Sequence, residues 1–245
     1  MNQHTLVIIP TYNERENVEI IAGRIRATIP EAQLLFIDDN SPDGTGAILD
    51  HLASKDQKIA VTHRPRKLGV GSAHLDGLAY AYKIGISIVI TLDADLTHSP
   101  EDIHGMIKAL ESADVATASR FHRDGGLDGW NFKRKAMTHA GHILTRVLLG
   151  LPSDASSAFR AYRLTTIPQG CFDLVRTSGY SFFYESLKIL SMNEISIIDV
   201  PVVLPARTYG HSKMKPKDIR QSVLFLLRLS LETKFRRQCF IIERQ

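Results

Sequence analysis

Two carboxylates one residue apart, Asp93 and Asp95, close the apolar run Ile84–Leu92. At the exit of a buried strand, Asp-Ala-Asp forms a hard-oxygen site that suits Mg²⁺ or Mn²⁺ bridging to a diphosphate. Burying the pair without a cation is costly, because like charges raise each other's pKa. Asp also punctuates ordinary turns, so Leu92-Asp93-Ala94-Asp95 takes its weight from its surroundings. Two more polar clusters follow apolar runs: Pro10-Thr11-Tyr12-Asn13-Glu14 and Asp38-Asp39-Asn40-Ser41-Pro42-Asp43-Gly44. The second is a turn by composition, and a turn and a site can coexist. In an open α/β sheet the carboxyl ends of the strands line the ligand crevice, so three such clusters point to one edge.

The elements that must place these clusters alternate in the first half of the chain. Strand candidates are Thr5–Ile9, Gln33–Asp38, Ile59–His63, Ser87–Leu92 and Val115–Ala118, with helical patterns between them. That alternation predicts the α/β class with a mostly parallel central sheet flanked by helices. Thr11-Tyr12-Asn13-Glu14 reads as a capping box with Thr11 as N-cap. Ser99-Pro100-Glu101-Asp102 places an N-cap, a first-turn proline and two acids at a helix start. The second half is less regular. Arg123–Gly129 reads as a polar, glycine-rich mobile loop, Asn131–Leu149 as helix, Phe159–Arg163 as extended and Ile195–Leu204 as a strand. No linker divides the chain, so a single domain spanning residues 1–245 is expected, with an amphipathic basic helical segment at about 216–237.

A chain of 245 residues with a net charge of +4 is long enough for a full core. The modest positive charge agrees with an anionic ligand or an anionic membrane surface. Basic residues interleaved with aromatics in an RNA-binding pattern are absent, so no nucleic-acid partner is expected. Cys171 and Cys239 lack metal or redox spacing and suggest a reducing compartment. No signal peptide and no span of transmembrane length is visible. A cytoplasmic protein, soluble or peripheral to the membrane, is the expectation.

Two phosphate-binding templates fail. There is no P-loop, and Gly44-Thr45-Gly46 and Gly69-Val70-Gly71 lack the third glycine of the dinucleotide fingerprint, at Leu49 and His74. A different family fits. Ile9-Pro10-Thr11-Tyr12-Asn13-Glu14-Arg15-Glu16-Asn17, Asp38–Thr45 and Asp93-Ala94-Asp95-Leu96 resemble the GT-A-fold family 2 glycosyltransferases. Lys67-Leu68-Gly69-Val70-Gly71, Gly129–Lys135, Phe159-Arg160-Ala161-Tyr162-Arg163 and Arg207–Lys213 narrow the resemblance to the polyprenyl-phosphate (dolichol-phosphate) mannosyltransferases. It covers roughly residues 5–230.

The resemblance implies a nucleotide-sugar-binding domain of GT-A fold. Pro10, Tyr12, Glu14 and Asp39 would hold the base and ribose of the donor. Asp93 and Asp95 would hold the metal, Mg²⁺ or Mn²⁺, on its diphosphate. Arg120 matches a phosphate-contacting arginine, and Arg134 and Thr138 fall where the family binds the acceptor phosphate. Arg207 and Lys213 match a loop that closes over the donor phosphates. Asp95, Arg120, Arg134 and Lys213 would thus carry catalysis. Each has a plainer alternative: Tyr12 as packing, Arg134 as a solvated base, Arg207 and Lys213 as surface charges. Glu185 has two readings, as the base that a sugar-hydroxyl acceptor requires or as a buried structural acid. His98, His104, His139 and His142 form no convincing metal set and read as structural or surface residues. Within the resemblance there are departures: Ala155-Ser156-Ser157-Ala158 stands where members usually carry Thr-Gly and a small residue, and Thr97 stands where some place a metal-assisting glutamine.

The implied reaction is inverting transfer of mannose from GDP-mannose to a dolichyl or undecaprenyl monophosphate at a membrane surface. A lipid monophosphate, with a second pKa near ~6, is anionic at neutral pH and needs a cationic clamp rather than a base. Two other readings stand: a related enzyme using another nucleotide sugar or a sugar-hydroxyl acceptor, and a non-catalytic nucleotide-sugar-binding protein. The lipid tail implies peripheral membrane contact through Lys217–Arg237, or a membrane-protein partner; packing of that segment on the domain is the alternative.

Overall fold

A computed structural model describes residues 4–121, 130, 132–204 and 216–242. Its seven-stranded sheet is built from β1 (Thr5–Thr11), β2 (Gln33–Asp38), β3 (Ile59–His63), β4 (Ile88–Thr91), β5 (Val115–Ser119), β6 (Arg160–Arg163) and β7 (Ile197–Pro201). The strand order is β3-β2-β1-β4-β6-β5-β7. Every pairing is parallel except those of β6, which runs antiparallel to both β4 and β5. The helices are α1 (Val18–Thr28), α2 (Thr45–Lys55), α3 (Val70–Lys83), α4 (Ile103–Ala109), α5 (Phe132–Leu149), α6 (Gly170–Asp173), α7 (Phe182–Met192) and α8 (Pro216–Phe235).

Both faces of the sheet are covered, which is why its central strands read as continuous apolar runs. Alternate residues of β1 serve opposite cores. Leu6 and Ile8 pack with Ala73 and Leu78 of α3, Leu187 of α7 and Leu226 and Leu229 of α8. Val7 and Ile9 pack with Ile21 and Ile25 of α1, Leu49 of α2 and Ile103 and Met106 of α4.

Three sequence expectations are corrected here. The Thr11 capping box does not form: Thr11 is the last residue of β1 and its hydroxyl donates to the Ile37 carbonyl. Helix α1 starts at Val18, behind the turn in which the Glu14 carbonyl accepts from the Asn17 and Val18 amides. Ser99 precedes Pro100, but only a 3₁₀ turn, Pro100–Asp102, comes before α4. The Ser99 hydroxyl donates to Glu101 and accepts from Arg24 instead of capping. The strand expected at Ile195–Leu204 is confined to Ile197–Pro201. The expected mobile loop Arg123–Gly129 lies outside the described residues.

His74, on α3, is buried and stacks on Phe182 at 5.2 Å between ring centres, with Phe183 edge-on at 5.3 Å. Neither of its ring nitrogens has a hydrogen-bond partner. Burial, aided by the Arg160 charge, pulls its pKa from 6.5 to about 3. The folded chain therefore binds fewer protons here than the unfolded chain between those two values, and stability rises with pH across that window. Above pH 6.5 the contribution is fully present; it is lost as pH falls toward 3. A His74→Phe variant is expected to flatten the urea-midpoint-versus-pH curve in this window. An unchanged slope would refute the buried neutral ring.

Candidate active site

A cleft of about 740 Å³ opens at the carboxyl ends of β1, β2 and β4 and brings together Pro10, Tyr12, Glu14, Asp39, Asp93 and Asp95. The loops after β1 and β2 are zipped together. The amides of Asn13, Glu14 and Arg15 donate to Ser41 Oγ (2.9 Å), Thr45 Oγ1 (3.0 Å) and Asp43 Oδ2 (3.2 Å). Burial raises the Asp43 pKa, but hydrogen bonds from Thr45 and from backbone amides outweigh it and leave the carboxyl below its usual range. Asp39 is buried, lines the cleft and is held by three donors: Arg64 donates to Oδ1 at 2.6 Å, and the Leu68 and Gly69 amides donate to Oδ2. Tyr12 is half-buried on the cleft wall with the Lys67 ammonium 3.7 Å from its ring centre, a cation–π contact rather than core packing.

The Asp93–Asp95 turn is held by its neighbours. Asp95 is buried, and its Oδ1 accepts from the Thr97 amide (3.1 Å) and the Thr97 hydroxyl (2.6 Å). The Asp93 amide donates to His98 Nδ1 at 3.1 Å, so that nitrogen is unprotonated, and the His98 ring leans on Phe159. Between them Leu96 adopts φ 62, a left-handed conformation that costs a side chain other than Gly or Asn on the order of 1–3 kcal/mol. Thr97, read from sequence as a departure, thus aims the Asp95 carboxylate, and His98, read as structural, fixes the backbone at Asp93. Among the described residues no three His, Cys, Asp or Glu converge as a ready-made metal cage. Two carboxylates in an open cleft fit a hard cation that takes one or two carboxylates and completes its shell with phosphate and water.

A second, smaller pocket of about 100 Å³ adjoins the cleft, and Asp93 lines both. Its walls carry Arg120 at the end of β5, Arg134 on α5, Trp130 and Ser156. Arg120 donates to Asp154 (Nε to Oδ2, 2.7 Å) and to Ser156 Oγ (3.2 Å). The Arg134 guanidinium lies 3.6 Å from the Trp130 ring centre, and the Trp130 indole donates to the Leu204 carbonyl. Arg134 is thus a stacked, fixed cation, not a solvated one. Thr138 is half-buried one turn further along α5, outside the lining of both pockets. Arg207 and Lys213 lie outside the described residues.

Glu185 is not in the cleft lining. It is fully buried, with Arg176 donating to Oε1 (3.3 Å) and the Thr177 amide and hydroxyl donating to Oε2 (3.0 and 2.6 Å). The structural reading holds: Glu185 fixes the segment 176–181, which forms the far wall of the cleft together with Asp218, Gln221, Ser222 and Phe225 of α8. These wall residues were missed in the sequence, although the Lys67–Gly71 motif signals the close approach. Gly69 has φ +106 and lies where a Cβ would meet the Ser178 carbonyl oxygen at 2.5 Å; a Cβ on Gly71 would meet Phe182 Cβ at 2.5 Å. Gly71→Ala is expected to lower stability by about 1–3 kcal/mol and to weaken nucleotide binding by displacing that wall. Urea unfolding and calorimetric titration with nucleotide would show both; intact stability would contradict the contact.

Sheet order, strand-end cleft and paired carboxylates define a glycosyltransferase of GT-A type. The chain belongs to glycosyl transferase family 2, whose family model matches residues 6–168. It is 37% identical over 224 residues to the polyprenol monophosphomannose synthase of Mycolicibacterium smegmatis, covering 90% of this chain and 84% of that one. The undecaprenyl-phosphate mannosyltransferase of Micrococcus luteus is 33% identical over 231 residues, covering 94% and 95%. In three dimensions the chain is similar to the glucosyl-3-phosphoglycerate synthase of Mycobacterium tuberculosis, solved with Mn²⁺, UDP-glucose and phosphoglyceric acid. The TM-score is 0.66 at 18% identity, covering 94% of this chain and 80% of that one; this likeness concerns the fold.

Proposed function

We propose that this glycosyltransferase moves mannose from GDP-mannose to a polyprenyl monophosphate, dolichyl or undecaprenyl, with inversion at the sugar. The observation that carries the reading is the shared wall: Asp93 borders both the large cleft and the small pocket that contains Arg120 and Arg134. A donor in the first and an anion in the second would meet there. The names of the two relatives above support the mannosyl donor and the lipid-phosphate acceptor.

On this reading Pro10, Tyr12, Glu14 and Asp39 hold the nucleoside, and Asp93 and Asp95 hold Mg²⁺ or Mn²⁺. When bound, the cation neutralises charge that develops on the leaving diphosphate. Arg120 and Arg134 grip the acceptor phosphate, Thr138 stands one turn along α5 from Arg134, and Arg207 and Lys213 serve the donor phosphates. The acceptor oxygen attacks C1 from the face opposite the diphosphate. The C1–O bond to GDP breaks, GDP leaves with the electron pair, and an α-linked donor gives a β-linked product. A phosphate acceptor is already ionised, so no general base is required. The engagement of both Glu185 oxygens in structural bonds agrees with this. One catalytic domain, acting in the cytoplasm against the membrane that holds the lipid, is the arrangement proposed.

The test is turnover of labelled GDP-mannose with a short polyprenyl phosphate, with and without Mn²⁺ or Mg²⁺. Metal-dependent mannolipid is the expected product. Absence of mannolipid, with metal-dependent consumption of a different nucleotide sugar, would transfer the reading to that donor. Product formed with a sugar hydroxyl in place of the phosphate would overturn the acceptor.

A further inference from the structure

Arg160, the first residue of β6, is fully buried and is the largest side chain in the core. A guanidinium keeps its proton in any folded protein, so it cannot escape burial by becoming neutral. Burying a charge is costly unless an opposite charge balances it. Two other well-buried arginines are balanced in that way: Arg64 meets Asp39 at 2.6 Å and Arg120 meets Asp154 at 2.7 Å.

Arg160 is different. Its hydrogen bonds all go to neutral oxygens. Nη1 donates to Ser186 Oγ (3.0 Å) and Tyr162 Oη (3.4 Å), and Nη2 donates to the carbonyls of Phe183 (2.6 Å) and Ala155 (3.2 Å). Nε has no hydrogen-bond partner, and the Phe183 ring stands 5.4 Å from the guanidinium carbon. Two buried carboxylates adjoin these partners in the chain, and both are engaged elsewhere. Asp154, next to Ala155, holds Arg120; Glu185, next to Ser186, holds Arg176 and Thr177. His74, edge-on to the same Phe183 ring, is kept neutral by burial and by the Arg160 charge. The field of this guanidinium is therefore felt by its neighbours.

The charge lies behind the site. Arg160 pairs with Thr91, two residues before Asp93, and with Thr117, three before Arg120. Ala155 lies between Asp154 and Ser156, which lines the small pocket. Phe183 belongs to the first turn of α7, directly after the cleft wall 176–181. The guanidinium thus reaches the back of both walls, the pocket's through Ala155 and the cleft's through α7.

We propose that Arg160 is an electrostatic positioning residue: its unbalanced charge holds the site at a positive potential, and the leaving diphosphate and the acceptor phosphate supply the countercharge. The proposal rests on the reading of the site as a place where two anions meet. Neither anion touches Arg160. Inside a protein, a unit charge roughly 10 Å from an anion changes its affinity by about tenfold, and a fixed charge requires no reorganisation during the reaction. Such a residue serves binding rather than folding, because an apolar side chain of similar length relieves the cost of burial.

Calorimetric titration with Mn²⁺-pyrophosphate tests this, since that probe carries the diphosphate charge without a base or a sugar. Arg160→Met is expected to bind it at least about tenfold more weakly, while its urea midpoint stays within about 1 M of the parent's. Arg160→Lys, which keeps the charge without the fork, is expected to recover the affinity to within about threefold. Arg160→Gln, which keeps a donor and loses the charge, is expected to follow Arg160→Met and replaces it if that variant fails to fold. Parent-like affinity in Arg160→Met or Arg160→Gln overturns the proposal. So does Arg160→Lys binding as weakly as Arg160→Met, which would assign the effect to the hydrogen bonds of the fork. A urea midpoint that falls in step with affinity makes the residue structural and also overturns it. Turnover is read separately. If no mannolipid forms while pyrophosphate affinity follows the charge, the proposed donor and acceptor fall and the role of Arg160 stands.

Discussion

Asp95→Asn is expected to lower kcat by about three orders of magnitude while leaving stability within about 0.5 kcal/mol. The two halves of this expectation have separate origins. Asn keeps an oxygen where Asp95 Oδ1 accepts from the Thr97 amide and hydroxyl, so the turn retains its shape. What disappears is the negative charge that a hard cation requires, and with it stabilisation of the leaving diphosphate, each 1.36 kcal/mol of which is about tenfold in rate. Calorimetric titration of Mn²⁺ in the presence of nucleoside diphosphate gives a second readout, in which the variant is expected to bind at least about tenfold more weakly. Full turnover in Asp95→Asn, or undiminished Mn²⁺ binding, would remove Asp95 from the proposed metal site.

Asp154→Ala is expected to destabilise the fold by about 3 kcal/mol and to raise KM for the acceptor more than for the donor. The Asp154 side chain is 1% exposed and that of its partner Arg120 10%, so removing the carboxylate strands a guanidinium away from water. The same carboxylate also accepts from the Ser156 amide and hydroxyl. Its loss therefore releases both Arg120 and the chain that leads into β6. Asp154→Asn, which keeps the shape and one acceptor oxygen, is expected to cost less. An unchanged urea midpoint for Asp154→Ala would show that the pair contributes nothing net. A donor KM that rises as much as the acceptor KM would contradict the assignment of Arg120 to the acceptor side.

Much of the donor half is readable in the sequence because its determinants are local. Strands buried on both faces give unbroken apolar runs such as Val7–Ile9 and Leu34–Ile37, and each polar cluster follows its strand directly. The rest depends on residues far apart in the chain. Asp154 meets Arg120 across 34 positions, and nothing in its own surroundings announces it. The cleft wall at 176–181 becomes a wall only because α3 and α7 approach through glycines. The Thr11 capping box fails for the same reason: its pattern is correct locally, but pairing of β1 with β2 draws Thr11 into the ladder opposite Asp38. Glu185 shows the converse limit. Its residue type suits a catalytic base, and only burial and two donors to Oε2 decide against it.

Strand β6 acts as a spacer. Its first residue, Arg160, pairs with Thr91 at the end of β4 and with Thr117 near the end of β5, so it enters the sheet where its neighbours leave it. It holds β4 and β5 two strand widths apart, about 10 Å, and the residues just before it, Asp154–Ala158, fill the gap with the walls of the small pocket. The half of the site fed by β1, β2 and β4 and the half fed by β5, the β6 entry and α5 thereby come from different elements and meet at Asp93. On the proposed function, a new nucleophile would call for changes at Ser156, Ala158 and the start of α5, around an Asp154–Arg120 pair that keeps the frame of the pocket.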